Sequence, residues 1–385
     1  MSQHELGQYF TRNIRLQNTV YNLIKNNPNI ILEPSVGRGD LVSYVISQND
    51  TIRFNCYEID DSIDFIIDLR DITICDFLKA DMSEQYTTII GNPPYVRTRG
   101  GNLYIDFISK CVDLLKPGGE LIFIVPSDFF KLTSSRHVLN RMMTVGTFTD
   151  IIHPEDESLF SGASIDIIVF RYVLSPELPK RVMYNSQEKY IINTNGVITF
   201  SDHPDNEFVR FGELFDVYVG MVSGRDGVFR NEYLGNLDLL TGAGQVKKYI
   251  LIQKFPTDDA IINEYMLKHR EELKARRIRK FNDENWFEWG ALRNYNRIGE
   301  LLGRDCIYIH NLTRKERVAF RGRVQYFGGN LLIAVPKDKS TTIKKIDCIV
   351  DYINSTEFRS NYMYSGRFKI GHRNLCNGLL PLNIL

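Results

Sequence analysis

Short apolar runs alternate with stretches of helical spacing through the first third of the chain, and this alternation limits the fold more than any other feature. Ile30-Ile31-Leu32 is one such run, followed by the turn Glu33-Pro34-Ser35-Val36-Gly37-Arg38-Gly39 and a helix start at Asp40-Leu41. Comparable runs occupy residues 54–59, 88–91 and 120–125, while residues 14–25 and 103–115 carry apolar side chains at helical spacing. Runs this short suit buried strands, and strands separated by helices pair in parallel with helices on both faces. The pattern predicts an α/β fold built on a mostly parallel sheet. In such a sheet, ligands sit beyond the carboxyl ends of the strands, where the strand order reverses.

Four groups of residues fall at these strand ends. Gly37 and Gly39 let the backbone approach a ligand closely and turn into a helix, although a purely structural glycine turn reads the same way. Glu33, at the strand tip, is badly placed for a pyrophosphate and well placed for an ammonium group. Glu58 closes the next run, 25 residues after Glu33, near the spacing at which Rossmann-like folds put an acid on ribose hydroxyls. The alternative is one exposed acid in the acid-rich stretch 58–71. Asp81 precedes the following run, where it either accepts a hydrogen bond from an exocyclic amine or is an ordinary loop aspartate.

The fourth group, Asn92-Pro93-Pro94-Tyr95, carries the most information. Successive prolines restrict the backbone and remove two amide donors, so nearby carbonyls stay free to accept hydrogen bonds. Asn92 adds a side-chain carbonyl and Tyr95 an aromatic face. The group suits a flat substrate bearing an amino group, with two carbonyls on its two N–H bonds and the ring stacked on tyrosine.

At 385 residues the chain has room for two domains. Its 43% hydrophobic content argues against disorder, and its six scattered cysteines form no CxxC pair, so neither a metal site nor a disulfide framework is expected. The segment Met1–Asn13 lacks the apolar core of a signal peptide, and no run approaches the roughly 18–20 apolar residues of a membrane span. A soluble, cytoplasmic protein is expected. Lys and Arg total 47, equal to Asp and Glu, which hides an uneven distribution. Residues 1–100 hold nine basic and 13 acidic side chains, whereas residues 261–330 hold 15 basic against nine acidic.

Taken in order, these motifs resemble those of S-adenosylmethionine-dependent N6-adenine DNA methyltransferases, with the gamma-class order found in restriction–modification systems. The resemblance covers residues 7–172. It begins at Gly7-Gln8-Tyr9-Phe10-Thr11 and continues through Glu33–Leu41, Glu58, Asp81, Asn92–Tyr95 and the Lys116-Pro117-Gly118-Gly119 turn with its following strand. It closes with Ser158-Leu159-Phe160-Ser161-Gly162-Ala163, similar to the element that supplies a second aromatic to the target pocket. Val36 and Arg38 depart from it, standing in the glycine loop where smaller residues are common. Cytosine-C5 enzymes need a nucleophilic cysteine after proline, absent here, and N4-cytosine enzymes more often carry Ser in place of Asn92, so adenine is favoured.

The resemblance implies a Rossmann-like class I methyltransferase domain over residues 1–175, a connector over 176–206 and a C-terminal α+β target-recognition domain over 207–385. It implies that Glu33 faces the amino end of S-adenosylmethionine, Glu58 its ribose and Asp81 its adenine amine. Pro34, Gly37 and Gly39 form the surrounding loop, and Tyr9, Phe10 and Thr11 close the methionine side, with Asn92 at the border. Asn92 and the Pro93 carbonyl would accept the N6 protons of a flipped-out adenine, Pro94 would stiffen the loop, and Tyr95 and Phe160 would stack on the base.

Within the connector region a short β segment is expected over residues 182–200, and beyond residue 206 the alternation is lost. The glycine-rich stretch 220–229 leads into no clear helix, so a tight loop is a better reading than a phosphate loop. Basic residues cluster over 274–280 and 314–323, with Trp286 and Trp289 between them. Basic, aromatic and amide side chains interleaved in this way suit phosphate contacts and base reading, which makes Arg277, Lys280, Trp286, Arg293, Arg297, Arg314 and Arg321 candidates for contacting duplex DNA. The alternative is a solvated basic face over a tryptophan core. A monomer or weak dimer is expected, with a possible restriction endonuclease acting on the same site as partner. Competing readings are a methyltransferase acting on RNA adenine or protein glutamine, and a non-catalytic DNA-specificity subunit.

Overall fold

The computed structural model describes residues 9–98, 101–160 and 164–385. Gly7 and Gln8 of the expected N-terminal element, and Ser161, Gly162 and Ala163 of the expected aromatic-bearing element, lie outside the described residues. The chain divides into two compact units: residues 1–206 with 364–366, and residues 207–363 with 367–385.

The first unit runs α1 (Ile14–Leu23), β1 (Ile30–Glu33), α2 (Asp40–Gln48), β2 (Arg53–Glu58), β3 (Ile72–Ile74) and β4 (Tyr86–Gly91). After the small hairpin β5 (Arg97–Thr98) and β6 (Gly101–Asn102) come α3 (Leu103–Asp113), β7 (Leu115–Pro126), α4 (Arg136–Val145), β8 (Thr147–Ile152) and β9 (Ile167–Val173). The unit ends with β10 (Arg181–Tyr184), β11 (Gln187–Thr194) and β12 (Val197–Ser201). Ten of these strands form one sheet in the order β12-β11-β10-β8-β9-β7-β4-β1-β2-β3. Neighbours from β3 to β7 are all parallel, and β9 runs antiparallel to both β7 and β8. The expected Rossmann-like α/β sheet is present.

Alternation along the strands explains the layers, because successive side chains point to opposite faces. Leu32, Ile89, Leu121 and Phe123 pack with Ile108 of α3 and Leu139 of α4. Ile31, Ile90, Ile122 and Ile124 pack with Leu16 and Val20 of α1 and Val45 of α2. Each helix is therefore fixed to one face by its apolar stripe. From β1 the chain moves outward to β2 and β3, then crosses back to β4 on the other side of β1. The strand order reverses between β1 and β4, which opens a crevice at their carboxyl ends.

Away from that crevice, Glu120 of β7 is fully buried in an ionic cluster. Its Oε2 accepts from Arg171 Nε at 2.7 Å and its Oε1 from Thr88 Oγ1 at 3.0 Å and the Asn26 amide at 3.0 Å. The cluster ties β4, β7 and β9 to the chain leaving α1.

Two differences from the sequence reading concern chain organisation. Residues 176–206, expected to be a connector, belong to the first unit: β10 adds in parallel to β8, and β11 and β12 continue the sheet antiparallel. The strand β3 was not anticipated, because a three-residue strand with Thr73 and Ile74 exposed shows neither an apolar run nor a clear alternation.

The second unit is α+β. Strands Phe215–Val219, Leu331–Pro336, Asp305–His310 and Ala319–Arg323 form an antiparallel sheet in that order. Ile346, Ile349, Val350 and Ile353 of the helix Ile343–Asn354 pack on Ile307, Ile309 and Leu332 of this sheet. A separate cluster gathers Trp286 and Trp289 with Phe229, Tyr249 and Met266. Among the described residues, no helix is long and apolar enough to cross a membrane.

Candidate active site

The crevice at the carboxyl ends of β1 to β4 holds a cavity, and three successive strands each deliver an acid to its wall: Glu33 as the last residue of β1, Glu58 as the last residue of β2 and Asp76 just past β3. Parallel register brings them to one edge, with Glu33 opposite Cys56 and Glu58 opposite Ile74. Glu33 is 1% exposed, and its Oε1 accepts from the Ser35 amide at 3.0 Å. Burial pushes its carboxyl up to about 8, the Ser35 hydrogen bond opposing and the Glu58 charge adding to the rise. The close seat of Glu33 requires Gly91, since a Cβ there would lie 2.9 Å from Glu33 Oε1 and 3.1 Å from the Phe123 ring.

Glu58 organises the loop after β1. Its Oε2 accepts from the Gly37 amide at 2.8 Å, and its Oε1 accepts from the amides of Ile59 at 2.8 Å and Asp60 at 3.1 Å. Burial raises its carboxyl, while these three amides pull the other way. Gly37 takes φ +55, and a Cβ there would meet the Phe10 ring at 3.1 Å. Gly39 caps the start of α2 at φ +93 and does not line the cavity.

Asp81 is a correction. It is exposed and lies outside the cavity lining, whereas Asp76 is part of it. The following Phe77 is buried and stacks on Phe107 of α3, with ring centroids 5.5 Å apart, both rings bordering the cavity. Asp76 Oδ1 accepts from the Leu78 amide at 3.1 Å, which closes a tight turn directly after β3. The signal was an Asp-Phe pair two residues past an unrecognised strand.

Asn92 follows β4 and borders the same cavity. Its Nδ2 donates to the Tyr9 carbonyl at 2.6 Å and to Thr11 Oγ1 at 3.1 Å, and its Oδ1 accepts from the Tyr95 hydroxyl at 2.6 Å. Burial holds the Tyr95 hydroxyl well above its ordinary pKa, so it remains a donor. Tyr9, Tyr95 and Phe160 form a triangle of rings with centroid separations of 5.5, 5.7 and 6.4 Å. Pro94 lines the cavity, while Pro93 is buried beside it and Tyr95 and Phe160 stand outside the lining.

The lining also includes Tyr9, Phe10, Thr11, Pro34 and the acid Asp40, and among the described residues no Lys, Arg or His faces the cavity. Four acids with no cation in the lining disfavour a phosphate group in this cavity. They fit a ligand with a positive centre, hydroxyls and an amine, flanked by the apolar walls of Phe77, Leu78 and Phe107. Among the described residues, no group of three or more His, Cys, Asp or Glu side chains is arranged to hold a metal.

In the second unit the expected DNA-contacting residues divide. Arg277, Lys280 and Arg314 are exposed. Arg293 is exposed at φ +42, its Nη1 3.4 Å from the Gly220 carbonyl. Arg297 is held by Tyr218 and Glu300, and Arg321 by Asp347 at 2.8 Å. Trp286 is a correction: it is 3% exposed in the core, packed edge-on against Phe255. The basic cluster at 274–280 is also less exposed than its sequence suggests. Arg276 is buried and donates to the carbonyls of Leu273, Ser223, Trp286 and Glu288, folding the segment around itself.

Comparison with known proteins agrees with this geometry. Residues 45–160 match the family described as Eco57I restriction-modification methylase. The chain is 25% identical to the type II methyltransferase M.HindII of Haemophilus influenzae, across 91% of this chain and 83% of that one. M.HincII, also of Haemophilus influenzae, is 30% identical across 50% of this chain and 42% of its own length. The structure of the type IIL restriction-modification enzyme MmeI in complex with DNA aligns with a TM-score of 0.60 over 94% of this chain and 63% of MmeI, at 11% identity, a likeness of fold. The chain thus spans less than half of M.HincII and under two thirds of MmeI. It is similar to restriction–modification methyltransferases, and its fold is like that of MmeI.

Proposed function

We propose that the chain is a DNA methyltransferase of restriction–modification type that uses S-adenosylmethionine to methylate N6 of adenine in duplex DNA. The observation that carries this reading is one crevice in which three strand-end acids face a cavity that no cation lines among the described residues, with Asn92 at its border. Glu33 holds the ammonium group of the cofactor, Glu58 the ribose hydroxyls and Asp76 the adenine amine, while Phe77 and Phe107 flank the adenine ring. When bound, the cofactor supplies an electrophilic methyl group on a sulfonium.

The chain's own residues act on the base. The N6 lone pair of adenine is delocalised into the ring, which makes it a poor nucleophile. Asn92 Oδ1 and the Pro93 carbonyl accept hydrogen bonds from the two N6–H groups and draw the nitrogen toward tetrahedral geometry, freeing the lone pair; once methylated, N6 gives up one proton to solvent. Tyr95 and Phe160 stack on the base, offsetting part of the cost of extracting it from the duplex at roughly 1–3 kcal/mol per stacked contact. Exposed cations of the second unit, Arg277, Lys280, Arg293 and Arg314 among them, neutralise phosphates. Arg297 and Arg321 reach DNA only by exchanging their present partners. A restriction endonuclease of the same recognition site is the natural partner.

Methyl-labelled S-adenosylmethionine offered with duplex DNA, RNA and protein in parallel tests the reading. Label confined to DNA supports it. Label on RNA or on protein glutamine alone assigns a different acceptor.

A further inference from the structure

Asn92 performs the proposed reaction only in one of its two amide orientations. With the oxygen toward the base it accepts an N6 proton; turned over, it presents an NH2 group to another NH2 group and repels it. Oxygen and nitrogen of a carboxamide are nearly alike in size, so hydrogen-bond partners alone decide the orientation.

Besides the Tyr95 hydroxyl, which donates to Oδ1 at 2.6 Å and gives way to the base, the partners lie on the segment ahead of α1. The Tyr9 carbonyl, 2.6 Å from Asn92 Nδ2, can only accept, so it bonds the NH2 and rejects the oxygen. Thr11 Oγ1, 3.1 Å from the same nitrogen, gives the second NH2 hydrogen a partner. Thr11 is 5% exposed, and its own carbonyl accepts from Gln17 Nε2 at 2.8 Å. Gln17 sits among the buried residues of α1, a long amide on a face otherwise given to Leu16, Val20 and Leu23, and it does not line the cavity. A buried glutamine on an apolar helix face costs free energy unless its amide is bonded, and here the bond goes to the segment that grips Asn92.

We infer that Thr11, anchored by Gln17, is a positioning residue that sets the Asn92 carboxamide with its oxygen toward the target amine. The inference rests on the reading of Asn92 as the N6 acceptor. It gives the N-terminal segment a task in the chemical step in addition to closing the cofactor cavity.

The test is single-turnover methyl transfer by the full chain at saturating S-adenosylmethionine and duplex DNA. Thr11→Val keeps the shape and removes the acceptor, and Gln17→Met removes the anchor from outside the cavity. Both should slow transfer about three- to tenfold, the scale of one lost hydrogen bond. Thr11→Ser should restore the rate, and base extrusion reported by 2-aminopurine should be unchanged in all three. With ¹⁵N-labelled asparagine, the Asn92 side-chain amide resonances should shift in Thr11→Val and return in Thr11→Ser. A wild-type rate in both Thr11→Val and Gln17→Met overturns the inference, as does a loss that Thr11→Ser fails to restore. Asn92→Ala is the control: if it still transfers methyl groups, the reading of Asn92 itself fails and takes this inference with it.

Discussion

The hydroxyl of Tyr95 donates to Asn92 Oδ1 at 2.6 Å, so the acceptor assigned to the target amine is already engaged in the DNA-free protein. The same hydroxyl lies 3.1 Å from the Ile124 carbonyl, a ready alternative acceptor. Entry of the base exchanges one hydrogen bond for another, which makes the step nearly neutral. Tyr95→Phe removes the competitor and keeps the ring. Its population of extruded base, read from 2-aminopurine fluorescence, should equal or exceed wild type by up to about fivefold. Tyr95→Ala removes the stack and should lower that population by about five- to 100-fold. Equal losses in both variants would contradict the exchange.

Glu33 predicts how cofactor affinity depends on pH. Its pKa in the ligand-free protein is about 8 and its ordinary value 4.5. Only the carboxylate attracts an ammonium group, so affinity should increase as pH rises toward 8 and fall again as the ligand's own ammonium group loses its proton. Calorimetry in buffers of different ionisation heat should detect proton release on binding below pH 8. Glu33→Gln should bind weakly with little pH dependence. Linkage has the opposite sign for stability: a carboxyl whose folded pKa is raised favours the fold below about 4.5, and that contribution is lost as pH rises to about 8. Thermal unfolding of the ligand-free protein should show a loss on the order of a few kcal/mol across this window, absent in Glu33→Gln.

Asp76 and Asp81 offer a direct comparison. Asp76→Ala should weaken S-adenosylmethionine binding about tenfold, the cost of one charge-assisted hydrogen bond, while Asp81→Ala should leave the dissociation constant within about twofold. Calorimetric titration of both variants decides between them. The reverse result would restore Asp81 to the site.

Glu120 should govern stability without touching chemistry. Removing Glu120 leaves the buried Arg171 guanidinium with only the distant Asp150 carboxylate, 3.9 Å from its Nη1, and strips the Nε of its partner, so Glu120→Ala should cost up to about 3–5 kcal/mol in urea unfolding. At a temperature where the variant stays folded, its cofactor affinity should match wild type, because the cluster lies well before the carboxyl ends of β4 and β7.

The parts of this site that were readable in the sequence are those where chemistry and fold coincide in consecutive residues. Ile30–Glu33 announces both a buried strand and an acid at its tip, and the Gly91–Tyr95 segment announces a strand end with free carbonyls. Asp76 was hidden because β3 is short and half exposed, so no apolar run marked where its strand ended. A β segment over residues 182–200 was legible, but its division into β10 to β12 and their joining to the main sheet were not, because one face of an edge sheet is polar. For Trp286 the core alternative holds over the DNA contact, and Arg276 was misleading for a related reason: residue type suggests a surface facing DNA, yet its guanidinium is bonded to backbone carbonyls. Pairings of this kind depend on tertiary contacts that spacing along the chain does not reveal. The grip of Tyr9 and Thr11 on Asn92, more than 80 residues away, belongs to the same class.

The central claim is tested most directly by nucleoside mass spectrometry of duplex DNA incubated with the protein and S-adenosylmethionine, beside an Asn92→Ala control. N6-methyldeoxyadenosine should accumulate with the wild-type chain and be absent with the variant. N4-methyldeoxycytidine in its place, or no methylated nucleoside in DNA at all, would contradict the account.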